Sequence, residues 1–366
     1  MKWSWKVAKI AGIDVFIHST FFILIAWIGF SYWITQRSVN AVVNGVVFIL
    51  LLFLFVLMHE FGHALAARKY GIATRDITLL PIGGLARLER MPKEPKQELW
   101  VALAGPLVNL VLAVLLFGWL FLTNGLGGLL NTTITEGSLL QRLAIVNVTL
   151  LLFNLIPAFP MDGGRVLRAF LAMRMEYTRA TQTAATIGQG FALVFGLVGI
   201  LFNPFLLFIA FFVWIGASQE SSSVQVREAI SGIPIKRAML TQFQTLDFNQ
   251  RLSDAIDAIL TGYQQDFPVM KGDDMVGILT RSGLVQGLAK DGPTVNIASV
   301  MDQSFITADA NEMLERVSER LQTCGCHTVP IFENEQLIGL VTMDNIGEFL
   351  MIQSALKRSS AKLGFG

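Results

Sequence analysis

The strongest limit on how this chain can fold is a succession of apolar runs from Phe16 to about Ala217. Each is about 18 to 25 residues long, enough to cross about 30 Å of hydrocarbon. Hydrophobic residues make up 53% of the sequence and charged residues 15%, a balance that excludes a purely soluble globule. The runs predict about six spans, at 16–35, 41–67, 97–123, 139–156, 184–202 and 203–218, so the expected class is a polytopic α-helical membrane protein with a cytoplasmic α/β module behind it. The first run is too long for a removable signal peptide, lacks a small-residue cleavage site, and reads as a retained span.

Basic residues set the expected orientation. Lys2, Lys6 and Lys9 precede the first span, Arg68, Lys69, Arg75, Arg87, Arg90, Lys93 and Lys96 follow the second, and Arg165, Arg168, Arg174 and Arg179 follow the fourth. Arg37 and Arg142 stand on the other side, so both termini are expected in the cytoplasm, in a prokaryotic plasma membrane. A formal net charge of +1 supplies no field for nucleic acid, which is not expected as a partner.

Within the second run the chain reads Met58-His59-Glu60-Phe61-Gly62-His63-Ala64. An ionisable residue at membrane depth costs about 2.5–3.5 kcal/mol, so three of them there need a common purpose. Residues four apart share a helix face, so His59 and His63 can grip one ion while Glu60 stands by the open coordination position, where it can take a proton from water. Two histidines make an incomplete site. The best third ligand is Asp162, in Asn154-Leu155-Ile156-Pro157-Ala158-Phe159-Pro160-Met161-Asp162-Gly163-Gly164, where prolines and glycines end a span in non-helical backbone; the alternative for Asp162 is a helix N-cap. The segment from Asp76 to Glu89, around Gly83-Gly84, reads as a hairpin or re-entrant loop, either able to pair with an extended substrate or a plain connector. His18, at the mouth of the first span, reads as a capping or interfacial residue.

The HEFGH helix, the stretch Ala104-Gly105-Pro106-Leu107-Val108-Asn109 and the N-x-x-P-x-x-P-x-D-G-G run, in that order on separate spans, resemble the site-2 protease family of intramembrane zinc metalloproteases. The resemblance covers roughly the first 220 residues; Met161 stands where many members carry Leu. It implies one zinc ion per chain held by His59, His63 and Asp162, with Glu60 as general base and Asn154 holding substrate or the developing oxyanion. The implied substrate is a membrane-spanning protein within the lipid bilayer, cut near the cytoplasmic face, with Gly83, Gly84 and Asn109 as candidate substrate contacts.

Beyond Gln219 the chain turns polar and then repeats itself at a constant offset: Met239 matches Met301, Phe243 Phe305, Asp247 Asp309, Leu252 Leu314, Pro268 Pro330, Gly277 Gly339 and Thr280 Thr342. Each copy is expected to run helix, strand, turn, strand, helix, and the pair resembles tandem cystathionine-beta-synthase-type (CBS) domains. That likeness implies an adenine nucleotide at Thr342 and Asn345, with Thr280 as a weaker counterpart. The G-x-x-T-x-x-D pattern, however, ends in Asn345 in one copy and Gly283 in the other, and a structural or homodimer-forming module is the alternative. The expected domains are 1–219, a linker at 220–232, CBS copies at 233–294 and 295–356, and a tail at 357–366. Cys324 and Cys326, one residue apart, are badly placed to bridge each other and too cramped for structural zinc, and read as packing residues.

The function expected from all this is a zinc-dependent intramembrane endopeptidase tuned by CBS domains. The competing readings are a CBS-regulated ion transporter or channel, whose path the same His, Glu and Asp would line, and an inactive relative that only binds helices.

Overall fold

The computed structural model describes residues 3–92, 94–130, 137–262 and 264–362. It divides into two compact units, Met1–Val224 and Gln225–Gly366.

The first unit opens with strands, β1 (Ser4–Ile10) and β2 (Ile13–His18), turned at Ala11 and Gly12, both at positive φ. His18 caps α1 (Ser19–Gln36), its ring accepting from the Thr20 N–H at 3.3 Å, which is the capping role expected of it. Helix α2 (Val39–Lys69) follows, 31 residues and so about 46 Å long. The chain then returns through β3 (Thr74–Leu80) and β4 (Gly83–Leu88), an antiparallel hairpin within the segment expected to form one. The strands make one sheet in the order β1-β2-β3-β4, with β2 and β3 parallel and β4 at an edge.

Helices α3 (Pro95–Leu130), α4 (Leu139–Asn154), α5 (Asp162–Ala172), α6 (Tyr177–Leu201) and α7 (Phe205–Ile230) complete this part. Among the described residues five helices are long and apolar enough to cross a membrane: α1, α2, α3 through Thr123, α6 and α7. The fourth expected span is α4, whose 16 residues give about 24 Å, less than the hydrocarbon thickness. Small residues let the helices approach. Ala180, Ala184, Ala185, Gly188 and Ala192 line the buried side of α6, and an added Cβ on Gly188 would lie 3.2 Å from Ala158.

The polar stretch expected as a linker does not interrupt the helix, since α7 runs through Glu220–Ser223 to Ile230. Two copies of one unit follow. The first holds β5 (Leu246–Asp247), α8 (Leu252–Thr261), β6 (Phe267–Lys271), β7 (Asp274–Leu279) and α9 (Arg281–Asp291). The second repeats it with β8 (Ala308–Asp309), α10 (Leu314–Cys324), β9 (Thr328–Glu333), β10 (Gln336–Thr342) and α11 (Met343–Lys362). Each makes a three-stranded sheet.

The copies exchange their leading segments. Leu240 pairs with Leu340 while Ile278 pairs with Asp302, and Met239 packs on Gly339 while Met301 packs on Gly277. The core of the second copy therefore includes Ile235 and Ala238 from ahead of the first, a pseudo-twofold arrangement in which neither copy closes alone. The cysteines depart from expectation: Cys324 and Cys326 are joined as a disulfide, with their Cα atoms 5.2 Å apart, because Gly325 at φ 66° turns the backbone between them. Of the expected tail, residues 363–366 lie outside the described residues.

The exchange yields a test. A Cβ on Gly339 would stand 2.9 Å from the Met239 sulfur and 3.0 Å from the Leu240 carbonyl oxygen. Gly339→Val in the full-length protein should destabilise the C-terminal module by about 1–3 kcal/mol through overpacking. The midpoint of its unfolding transition in urea reads this directly.

Candidate metal centre

Helix α2 is apolar along most of its length, yet near its C-terminal end it carries His59 and His63 a turn apart, 6% and 5% exposed. Asp162, 7% exposed, opens α5. The N-cap of α5 is Met161, and the Asp162 carboxylate turns to the histidines instead of capping. Its Oδ2 lies 3.1 Å from His59 Nε2 and 3.0 Å from His63 Nε2, and the two ring nitrogens are 3.1 Å apart.

The protonation pattern of this cluster follows from its partners. His63 Nδ1 lies 2.7 Å from the Val101 carbonyl oxygen, which can only accept, so Nδ1 carries the proton and Nε2 presents a lone pair. The His63 lone pair and the Asp162 carboxylate oxygen then point to one place that His59 Nε2 also reaches, an arrangement that a shared cation would satisfy. Three ligand atoms placed 2.0–2.2 Å from one zinc ion in a tetrahedral arrangement stand about 3.3 Å apart. The cluster is within a few tenths of an ångström of that spacing, so these side chains fit a zinc ion.

Glycines make the convergence sterically feasible. Helix α3 passes so close that a Cβ on Gly105 would lie 2.3 Å from His63 Nε2 and 2.7 Å from His59 Nε2. On the facing helix, a Cβ on Gly62 would lie 2.7 Å from the Ala104 carbonyl oxygen. Gly163 and Gly164 allow α5 to fold back on residues 155–159, with Cβ positions 2.3 Å from the Ile156 oxygen and 2.6 Å from the Ala158 carbon.

Glu60 faces the sheet. Its Oε2 accepts the Ala86 N–H at 3.1 Å, so the outer side of the edge strand β4 borders this carboxylate. Gly84 presses on the same side chain, with a Cβ position 2.6 Å from Glu60 Cγ, while Gly83 turns the hairpin at φ 139°. Asn154 is the last residue of α4 and is partly buried. Asn109, 3% exposed, sits where α3 meets α4, its backbone carbonyl accepting from Asn147 Nδ2 at 2.7 Å.

In the C-terminal unit Thr342 and Asn345 share a cavity with Gln264, Asp266, His327 and Thr328. Asn345 Oδ1 accepts from the Thr342 hydroxyl at 2.8 Å, and Asp266 Oδ2 accepts from Thr328 Oγ1 at 2.7 Å. Thr280 stands elsewhere: it caps α9, accepting from the Gly283 N–H at 3.1 Å.

Sequence reasoning did not find Val101, Ala86 or the buried pair Glu98 and Arg168, whose Nε donates to Glu98 Oε1 at 2.7 Å. The first two act through the backbone and leave no residue-type signal. A carboxylate at the head of an apolar run was the available sign for Glu98.

A buried two-histidine, one-carboxylate cluster with an adjacent glutamate, set among apolar helices and an edge strand, defines a membrane metallohydrolase. Residues 47–138 and 131–197 match the model of Peptidase family M50, and residues 297–351 match that of the CBS domain. Zinc metalloprotease MJ0392 of Methanocaldococcus jannaschii is 32% identical over 348 residues, 94% of this chain and 96% of that protein. Stage IV sporulation protein FB of Bacillus subtilis is 28% identical over 40% of this chain and 48% of its own length. Among solved structures, the Site-2 Protease from Methanocaldococcus jannaschii is 39% identical and aligns over 60% of this chain and 95% of that one, with a TM-score of 0.44. The chain belongs to peptidase family M50, the site-2 proteases, and carries a CBS module. It is a multi-pass membrane zinc metalloendopeptidase.

The Gly105 contact generates a prediction. In Gly105→Ala the methyl group must displace both imidazoles, so zinc affinity should fall at least tenfold, about the loss that follows from disturbing groups that orient metal ligands. Competition against a chromogenic chelator, with helix content followed by circular dichroism, measures it.

Proposed function

We propose that the protein hydrolyses a peptide bond in or next to a transmembrane helix of a substrate protein, near the cytoplasmic face. The observation that carries this reading is the convergence of His59 Nε2, His63 Nε2 and Asp162 Oδ2 beside Glu60 and the outer edge of strand β4. One zinc ion per chain, held by these three side chains, would supply a Lewis acid that eases ionisation of water near neutral pH.

The chain's own residues would do the rest. A transmembrane helix hides its peptide bonds in internal hydrogen bonds, so the substrate must unwind before attack. The outer edge of β4 offers backbone partners to the unwound segment, and Gly83 and Gly84 leave room for it to lie close. Glu60 would take the proton of the attacking water and pass it to the leaving amine. Asn154, at the end of α4, would hold substrate or the oxyanion through its amide, and Asn109 remains a candidate contact. The distribution of basic residues favours both termini in the cytoplasm.

In reconstituted vesicles a panel of tagged single-span proteins should yield cleavage products that chelation abolishes and zinc restores. Glu60→Gln should retain zinc but lose at least 10²-fold in rate, since the amide keeps the size of the side chain and cannot accept the proton. A Glu60→Gln protein that still cleaves near the wild-type rate would sink this mechanism.

For the C-terminal module, the cavity bearing Thr342 and Asn345 supports an adenine nucleotide as a regulatory ligand, with Thr280 contributing at most indirectly through its cap. Titration of ATP, ADP and AMP into the full-length protein by calorimetry should show binding below millimolar concentration. Should none bind, the module is better understood as a homodimer contact.

A further inference from the structure

Arg168 is 1% exposed, the bulkiest fully buried side chain among the described residues. Its Nε donates to Glu98 Oε1 at 2.7 Å, with Nη2 2.5 Å from the same oxygen, and its Nη1 donates to Glu220 Oε1. The guanidinium carbon also lies 5.1 Å from the ring centroids of both Phe159 and Tyr177. One cation thus ties α5 to α3 and α7, and packs on the loop ahead of α5. Burial works against the Arg168 charge, yet Glu98, Tyr177 and Glu220 around it raise its pKa above the ordinary value.

A buried ion cluster of this kind is weak evidence for stability, because well-packed apolar residues in its place are often neutral or better. What it supplies is geometry, through a planar fork of donors with fixed directions. The attachment points matter here. Glu98 lies within one turn of Val101, whose carbonyl holds His63. Phe159 immediately precedes the Pro160-Met161 step into Asp162, and Arg168 itself is less than two turns along the helix that Asp162 opens.

We propose that Arg168 is a positioning residue for the metal centre: by gripping Glu98 and Glu220 it sets α5 against α3 and α7, and so places Asp162 opposite His59 and His63. The inference rests on the reading of Asp162 as a metal ligand, and the experiment separates the two. Full-length protein is loaded with cobalt(II) as a spectroscopic substitute, and its visible bands are recorded together with zinc affinity and melting temperature.

Asp162→Ala serves as reference and should lose most of the affinity; full affinity there would overturn the ligand reading, and this inference with it. Arg168→Met/Glu98→Leu removes both buried charges. It should melt near the wild-type temperature yet bind zinc at least tenfold more weakly with altered cobalt bands. Arg168→Lys, which restores charge without the fork, should not recover the affinity. Glu220→Gln, at a side chain 32% exposed, leaves the buried Arg168 still paired with Glu98 and should weaken zinc binding about threefold. If Asp162→Ala loses zinc while Arg168→Lys and Glu220→Gln both keep wild-type affinity and bands, the cluster is structural only and the proposal is wrong.

Discussion

Everything around the metal centre depends on how closely α2 and α3 approach. Gly62 on one helix and Gly105 on the other each lack room for a Cβ, and between them the His63 ring reaches the Val101 carbonyl. That single hydrogen bond fixes which ring nitrogen faces Asp162. In an apolar setting no water stands ready to repair a misplaced polar group, so each ligand must be oriented by protein alone. The helix pair provides two candidate ligands and their orientation; α5, folded back through Gly163 and Gly164, provides the third candidate.

The meeting of His59, His63 and Asp162 was legible in the sequence because its signal is local. His59 and His63 share a helix face by spacing alone, and Asp162 stands out where Pro157, Pro160 and two glycines forbid a continuous span. What was not legible is whatever depends on backbone or on direction. The apolar run starting at Phe16 conceals the end of β2, since a few consecutive apolar residues fit a buried strand as well as a helix. Glu220-Ser221-Ser222-Ser223 looks like a linker by composition, yet its first residue pairs with Arg168 and the helix continues beneath it. Arg168 itself counted as one cytoplasmic positive charge among several, because a rule about net distribution cannot see that one of them is fully enclosed.

The C-terminal module shows a similar division. A constant offset revealed two copies, but not that Met239 and Met301 each cross to the other copy's strand. The offset also explains why the copies are unequal. Asp266 and Thr328 occupy equivalent positions and meet each other directly, so one supplies an acceptor where the other supplies a donor. Asn345 and Gly283 are equivalent as well. Both Thr342 and Thr280 accept the backbone N–H three residues on, at 3.1 Å, but only Thr342 also donates to a side-chain amide, that of Asn345. Divergence at a single position has left both turns capping their helices, one with an added amide in the cavity and the other with none.

Glycine has the same role at each place where a reactive or recognition group must be held close. Gly105 admits the histidine nitrogens, Gly84 admits the Glu60 side chain, and Gly339 admits Met239. In each case the backbone of a regular element, rather than a flexible side chain, forms the wall against which the group rests. Placement on helices and strands gives tighter geometry than placement on loops, but it leaves no slack to absorb an added methyl group. Tolerance to substitution should therefore be lowest at residues that have no side chain to contribute. It should be greater on the exposed apolar faces of α6 and α7, where Leu197 and Phe208 are 63% and 73% exposed.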